Sequence, residues 1–336
     1  MKSMKQWLSL GCISLLVGCS AQSSSSPSSI KAAPSAVTAS TLAPTFYDYT
    51  IRSPEGEVLS IATLASQIQD ADIVLVGEWH GHPAAHLLQA QLLAALYSQN
   101  TSLALSMEQF TRDKQAIVND YLADKIGEAS LKEEANAWPN YISDYRPLVE
   151  FAKANNLDVI ASNAPKPIVR CIGKYGENYL DRLPKNERTW VADSLTLTED
   201  AYQDKFINSM HHGDEAQTKR QFAAQTAWDD TMAESMVNYL ASHPNTQILH
   251  TAGRFHVEEG LGTASRILSR NPNLKVVMVT PVSSDTTLNP KAPDYQVEMQ
   301  PLPKQYMSKE KMIAAMTKIH GRNKSLQCYE SQPKEQ

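Results

Sequence analysis

Two stretches of this chain set a glycine three residues ahead of a histidine, just after an apolar run. Gly77-Glu78-Trp79-His80 follows Ile73-Val74-Leu75-Val76, and Gly253-Arg254-Phe255-His256 follows the run that ends at His250. Glu108 closes a further run, Leu103-Ala104-Leu105-Ser106-Met107, and Asn163 follows Val159-Ile160-Ala161-Ser162. Two imidazoles, His80 and His256, with Glu78 and Glu108 in one crevice can bind a divalent transition metal or run acid–base chemistry. A single Gly-x-x-His means little; two at matching run ends are hard to produce by accident. His82, His86, His243 and His320 are read instead as structural residues that pin loops. Neither a Gly-x-Ser-x-Gly elbow nor His-Glu-x-x-His occurs, which counts against the enzyme readings that rely on those motifs.

These residues meet only if the runs that carry them are parallel strands with their carboxyl ends aligned. The near-continuous apolar runs at 73–77, 103–107, 157–161, 246–250 and 275–279 suit that role. Helices are expected between them over 83–98, 147–155 and roughly 259–269, the first with Pro83 at its opening position. The expected fold class is therefore α/β, a mostly parallel sheet flanked by helices. The connections 111–145 and 165–242 are too long for single crossovers. They are read as a helical insertion subdomain over the carboxyl ends of the strands, where open α/β sheets bind ligands. Residues 46–60 suggest a peripheral hairpin around Arg52-Ser53-Pro54-Glu55-Gly56. The main domain is placed at 46–285, followed by a Pro-rich extension at 286–336 with a short helix near 308–319 and a polar tail.

The N-terminus reads as an export signal. Lys2 and Lys5 precede a short apolar stretch from Trp7 to Val17. Such a run is about 10 residues long, whereas a bilayer takes roughly 20. Leu16-Val17-Gly18-Cys19 resembles the bacterial lipobox, so 1–18 is expected to be a signal peptide and Cys19 the lipidated first residue. An ordinary cleaved signal with an incidental cysteine is the plainer reading. Ser20 rather than Asp after the cysteine resembles export to the outer membrane of a Gram-negative bacterium. Residues 19–45, rich in Ser, Pro and Ala, form a flexible tether.

The formal charge of −5 becomes −7 once Lys2 and Lys5 are removed, so no basic footprint argues for nucleic acid. Cys171 and Cys328 can pair in an oxidising periplasm or stay as two thiols, and sequence does not decide between them.

Several stretches together resemble the ChaN family of haem-binding lipoproteins. They are Val74-Leu75-Val76-Gly77-Glu78-Trp79-His80, Met107-Glu108, Trp138-Pro139 leading to Tyr145-Arg146-Pro147, and Val159 through Pro165. His211-His212, Ala224-Gln225, Trp228-Asp229, Met232-Ala233 and Gly253-Arg254-Phe255-His256 continue the pattern over about 72–282. The family belongs to a superfamily with Tiki and TraB proteins and erythromycin-esterase-like enzymes. The resemblance makes Glu78, His80, Glu108, Asn163, Asp229, Arg254 and His256 the superfamily pocket.

The resemblance also implies a role in haem and iron uptake, with ferric haem held between the core and the helical insertion and a homodimer closing over two haems. An outer-membrane haem receptor is a possible partner. Iron ligation by a tyrosinate is implied, by Tyr145 or else nearby Tyr141, supported by His211 or His212. A phenolate is a hard anion suited to ferric iron. Trp138, Tyr141, Phe206, Met210 and Phe222 are candidates for the apolar walls, with ordinary helix packing the plainer reading of each. The enzymatic alternative is a Tiki-like metal-dependent peptidase or hydrolase using His80, His256 and Glu78 or Glu108.

Overall fold

The computed structural model describes residues 44–209, 213–321 and 326–331. The expected signal, Cys19, almost all of the tether and Met210, His211 and His212 lie outside the described residues.

One eight-stranded sheet organises the rest. Its strands are β1 Tyr49–Arg52, β2 Val58–Leu59, β3 Ile73–Glu78, β4 Leu103–Thr111, β5 Val159–Asn163, β6 Gln247–Gly253, β7 Val276–Ser283 and β8 Tyr295–Met299. They lie in the order β2-β1-β8-β7-β3-β6-β4-β5. All neighbours from β8 to β5 run parallel, and β1 is antiparallel to both β2 and β8. The helices are α1 Ile61–Gln67, α2 Pro83–Gln99, α3 Gln115–Leu122, α4 Glu128–Glu134, α5 Arg146–Ala154 and α6 Lys166–Tyr175. They continue with α7 Lys185–Arg188, α8 Ala201–Ser209, α9 Glu215–Ser242, α10 Arg254–Val257, α11 Thr263–Arg270 and α12 Lys309–Gly321.

The apolar runs are buried on both faces because each is a central parallel strand. Val74, Val76, Leu105 and Met107 pack with Leu88, Leu92, Leu93, Leu148 and Val149 of α2 and α5. Ile73, Leu75, Ala104 and Ile160 pack with Met232, Ala233, Met236 and Ile267 of α9 and α11. After β3 the chain therefore crosses one face through α2; after β6 it crosses the other through α11. Strands β3 and β6 are neighbours, with Glu78 opposite Gly253 at their carboxyl ends. Connections that part to opposite faces leave a crevice between adjacent strand ends. Glu78, His80, Arg254 and His256 all sit there.

Three expectations need correction. The boundary at 285 falls inside the sheet, because β8 lies beyond it and pairs with both β7 and β1. Its alternating Tyr-Gln-Val-Glu-Met pattern gives a weaker signal than the solid apolar runs of the centre. The hairpin is β1–β2, joined through β1 to β8, so it extends the sheet. Finally, 165–242 is only partly a cap over the strand ends. The 28-residue α9 runs about 42 Å. Its second half covers the sheet face, while Gln225 and Asp229 in its middle reach the crevice.

Cys171 and Cys328 form a disulfide with their Cα atoms 5.8 Å apart, so the paired alternative is the one the fold adopts. It fastens the tail to α6, and next to it the backbone N–H of Tyr329 donates at 3.2 Å to the hydroxyl of Tyr179, in the turn that follows α6.

Candidate functional site

Glu78, the last residue of β3, is a buried hub. Its Oε1 accepts from His80 Nδ1 at 2.7 Å, from the Tyr145 hydroxyl at 2.6 Å and from Gln109 Nε2 at 3.4 Å. Its Oε2 accepts from Gln89 Nε2 at 2.7 Å. Gln89 in turn accepts from His86 Nδ1 at 3.1 Å, and Thr251 donates to Gln109 at 3.0 Å. Burial alone would raise the Glu78 pKa. The His80 hydrogen bond, the two imidazoles and the Tyr145 hydroxyl outweigh it and bring the carboxyl below its usual range. A buried carboxylate with this many donors stays charged and fixed.

His80 is the open member of this cluster, with its side chain 49 % exposed. Burial lowers its pKa, but the Glu78 hydrogen bond and the charges of Glu108 and Glu78 prevail and raise it. Its ring lies over Gly253, where a Cβ would stand 3.1 Å from both Cε1 and Nε2. That close approach requires glycine at the end of β6. Trp138 meets His80 edge-on, with ring centroids 4.9 Å apart.

The other half of the crevice is sealed. Glu108 Oε2 accepts the Gly253 backbone N–H at 2.6 Å, and Asn163 Nδ2 donates to the Glu108 carbonyl at 3.0 Å. Glu108 and Gln109 are consecutive, yet both join the network, because the β4–β5 register shifts between Met107 and Thr111. His256 Nδ1 donates to Asp229 Oδ1 at 2.9 Å, and its Nε2 lies 3.9 Å from Glu108 Oε1. Asp229 also accepts from the hydroxyls of Tyr202 at 2.6 Å and Thr263 at 2.8 Å. Burial opposes charge on His256, but Asp229 and Glu108 overcome it and raise its pKa to about 9. Burial likewise opposes charge on Asp229, and His256 leads the groups that bring it below its usual range.

The structure thus brings together Glu78, His80, Glu108, Asn163, Asp229, His256, Tyr145 and Trp138, while the Arg254 guanidinium pairs instead with Glu258 at 2.5 Å. Tyr145, the tyrosine that the resemblance names as iron ligand, faces inward. This residue lies in a π-helical turn at 141–145, its side chain fully buried against Trp138 and His86. Its hydroxyl is engaged as a donor, and burial followed by the Glu78 charge pushes its pKa well up, so it is held as a neutral phenol. Tyr141, the alternative, is buried beside Phe110 with its hydroxyl unpaired. Phe206 and Phe222 are buried with Tyr202 in a separate core cluster.

Several residues of the network were missed in the sequence. His86 is more than a loop pin, since its Nδ1 is 3.6 Å from Glu78 Oε2 and its Nε2 is 3.3 Å from Asp144. His86 and Gln89 stand one turn apart on the buried side of α2, among leucines and alanines. That placement was the available signal. His82 is structural as expected, since its Nδ1 caps α2 by accepting the Ala84 N–H and its Nε2 donates to the Gln300 carbonyl. His250 is buried, bonded to Ser106, and driven by burial to a pKa of about 3, hence neutral.

Among the described residues, no three His, Cys, Asp or Glu side chains are placed to hold a metal ion together. The physical reason is that the Glu78 oxygens are saturated by donors and Glu108 Oε2 is taken by Gly253. Two cavities border the crevice. One of about 560 Å³ is lined by Trp138, Trp190, Gln109, Pro165, Lys166 and Ile168 among others. Another of about 320 Å³ adjoins Trp79, Arg254 and Asp294. The larger lies within the range of small-molecule and cofactor sites.

The family model described as "Haem-binding uptake, Tiki superfamily, ChaN" matches residues 64–267. Among solved structures, ChaN of Campylobacter jejuni, described as binding haem cofacially, is similar at 16 % identity and a TM-score of 0.57. The match covers 76 % of this chain and 98 % of that one. The type III effector HopBA1 matches at 11 % identity and a TM-score of 0.41, over 77 % and 98 % of the two chains. An erythromycin esterase, EreC, in its open conformation matches at 12 % and 0.43, over 80 % and 87 %. No curated protein matches the chain. With 64–267 spanning more than half of the sequence and carrying every residue of the network, the chain belongs to the ChaN haem-binding uptake family of the Tiki superfamily.

Proposed function

We propose that this protein binds haem at the carboxyl end of the sheet and serves haem uptake from a membrane to which lipidated Cys19 tethers it. The observation that carries the reading is the crevice itself, inside the segment matched by the family. A half-exposed imidazole anchored to a buried carboxylate stands beside Trp138, and Trp138 lines a cavity of about 560 Å³. Trp138 and Trp190 give this cavity aromatic walls, a common feature of cofactor sites. Haem, when bound, would supply its iron; the chain would supply the walls, Trp138 among them, and the ligand.

Three finer parts of the reading rest on resemblance. Lipid attachment at Cys19 and an outer-membrane address follow from the lipobox-like sequence and Ser20. A homodimer with face-to-face haems follows the relative described as binding haem cofacially. Haemin titrated into the purified chain is expected to give a saturable absorbance change with quenching of tryptophan fluorescence. Absence of saturation sinks the reading. Palmitate labelling abolished by Cys19→Ser tests the anchor.

One observation favours a second reading. The pairs Glu78–His80 and Asp229–His256 both stand next to Glu108, which suits an acid–base hydrolase. A hydrolysed substrate from an ester and peptide panel, with turnover abolished by His80→Ala, would favour it over haem binding.

A further inference from the structure

The cavity of about 320 Å³ beside Trp79 and Arg254 is walled mostly by residues of 280–296, beyond the family-matched segment. That wall is tied in place. Gln296 holds Asn289 twice, accepting its backbone N–H at 3.0 Å and donating to its carbonyl at 2.8 Å. The Thr286 hydroxyl donates to the Ser283 carbonyl at 2.7 Å, and the Ser284 N–H donates to the Met299 carbonyl at 2.8 Å.

Asp294, which lines the cavity, is the residue this wall does not satisfy. It is only 2 % exposed. Its Oδ2 accepts from the Thr280 hydroxyl at 2.7 Å and from the Glu259 backbone N–H at 2.8 Å. Its Oδ1 has no hydrogen-bond partner among the described residues. A buried carboxylate oxygen without a donor bears its desolvation uncompensated, and folded proteins leave few polar atoms in that state. Burial, joined by the charges of Glu259 and Glu258, pushes the Asp294 pKa up in spite of its two donors.

The surrounding charge points the same way. Glu258, Glu259 and Asp294 line the cavity against one cation, Arg254. Glu258 is answered twice, by Arg254 at 2.5 Å and by Lys205 at 2.8 Å. The Glu259 carboxylate accepts from the Asn289 amide at 3.3 Å, and among the described residues neither it nor Asp294 pairs with a cation. A metal ion is a poor occupant, because no three His, Cys, Asp or Glu side chains among the described residues are placed to hold one. An anionic ligand would meet two carboxylates that lack a counter-charge. An ammonium group suits the site on each count. It brings positive charge and three N–H donors, and it is attracted to indole, which Trp79 supplies. Hydroxyls of Thr286 and Thr287 stand among the lining groups as further acceptors.

We propose that this cavity binds a small primary amine, whose ammonium group gives the Asp294 carboxylate the donor and counter-charge it lacks, with Glu259 and Trp79 beside it. A volume of about 320 Å³ lies at the low end of ligand pockets, so the ligand is a short-chain amine. The site uses no member of the Glu78–His80 cluster and is independent of haem binding.

The test is calorimetric titration of the full chain at neutral pH with n-butylamine, and in parallel with tetramethylammonium, glycerol and calcium chloride. Butylammonium is expected to bind saturably. Asp294→Asn keeps an acceptor for Thr280 and Glu259 but loses the charge, and is expected to weaken binding at least about tenfold. Glu259→Gln, at an exposed residue, weakens it by about two- to fivefold. Tetramethylammonium lacks N–H donors and glycerol lacks charge, so both are expected to bind at least about tenfold more weakly than butylammonium.

Absence of saturable butylammonium binding overturns the proposal, as does binding that both variants leave unchanged. Glycerol binding as tightly as butylammonium also overturns it and makes the cavity a polyol site. Calcium binding that Asp294→Asn abolishes overturns it in favour of a metal. Circular dichroism of each variant separates loss of ligand from loss of fold, and if Asp294→Asn does not fold, Glu259→Gln decides.

Discussion

Glu108 is neighbour to two imidazole–carboxylate pairs of the same chemistry and opposite accessibility. In Glu78–His80 the carboxylate is buried and the imidazole stands half exposed. In Asp229–His256 both members are buried, and Tyr202, Gln225 and Thr263 close around them. The strand ends that carry the histidines are matched, Glu78 lying opposite Gly253. What differs is the cover, since α9 delivers Asp229 and Gln225 onto His256 while no helix among the described residues closes over His80. One sequence pattern thus yields a half-exposed imidazole and a buried ion pair. Cover, not residue type, separates binding from structure here.

The largest effect that sharpens this contrast is on stability. Asp229→Ala strands a charged, buried His256 and removes the acceptor of Tyr202 and Thr263. It is expected to cost about 3–5 kcal/mol, the usual cost of breaking a buried pair. His80→Ala removes a half-exposed ring but leaves Glu78 its Gln89, Tyr145 and Gln109 donors, and is expected to cost about 1–2 kcal/mol. Urea unfolding of both variants checks the difference, and equal losses would erase the distinction.

The contrast also explains what the sequence could convey. The buried strands were legible because a parallel strand between two helical layers is apolar throughout, as in Ile73-Val74-Leu75-Val76. The ends of those strands were legible too, since Glu78, His80, Glu108, Asn163 and His256 break the apolar runs abruptly. The partners of those residues were not. Tyr202 and Thr263 look like ordinary helix residues until α8 and α11 are folded against α9 beside Asp229. Gln89 looks like part of a polar helix face, although it is buried against Glu78. Tyr145 was found, but its burial was not, because the direction of a side chain in a π-helical turn depends on packing that no spacing encodes.

Next in size is a dependence on pH that belongs to the sealed pair. The folded pKa of His256, about 9, lies above its ordinary 6.5. Its contribution is therefore whole below pH 6.5 and drains away as pH rises through 9. The integrated effect is at most about 3 kcal/mol. Asp229, brought below its ordinary range, acts oppositely: its contribution is present at neutral pH and is lost when acid protonates it. Urea midpoints are expected to fall between pH 6.5 and 9 in the unmodified chain and to stay nearly level in His256→Asn. A flat profile in the unmodified chain would mean that the pair is not charged at neutral pH.

The smallest expected change in stability bears most directly on the open pair. At Gly253 an added Cβ would lie 3.1 Å from His80 Nε2 and Cε1, tighter than ordinary contact, while the backbone there has an ordinary negative φ. The obstructing atoms are the far end of a half-exposed side chain, so the ring can swing aside. Gly253→Ala should therefore cost under about 1 kcal/mol of stability. A shift of a few tenths of an ångström moves the ring relative to Trp138 and strains its hydrogen bond to Glu78. Haemin affinity should fall modestly, with the melting temperature almost unchanged. Asp229→Asn should do the reverse, lowering the melting temperature while leaving a folded chain that binds haemin. If Gly253→Ala instead unfolds the protein and leaves affinity per folded molecule intact, His80 is part of the sealed structure, and the division between an open and a closed pair fails.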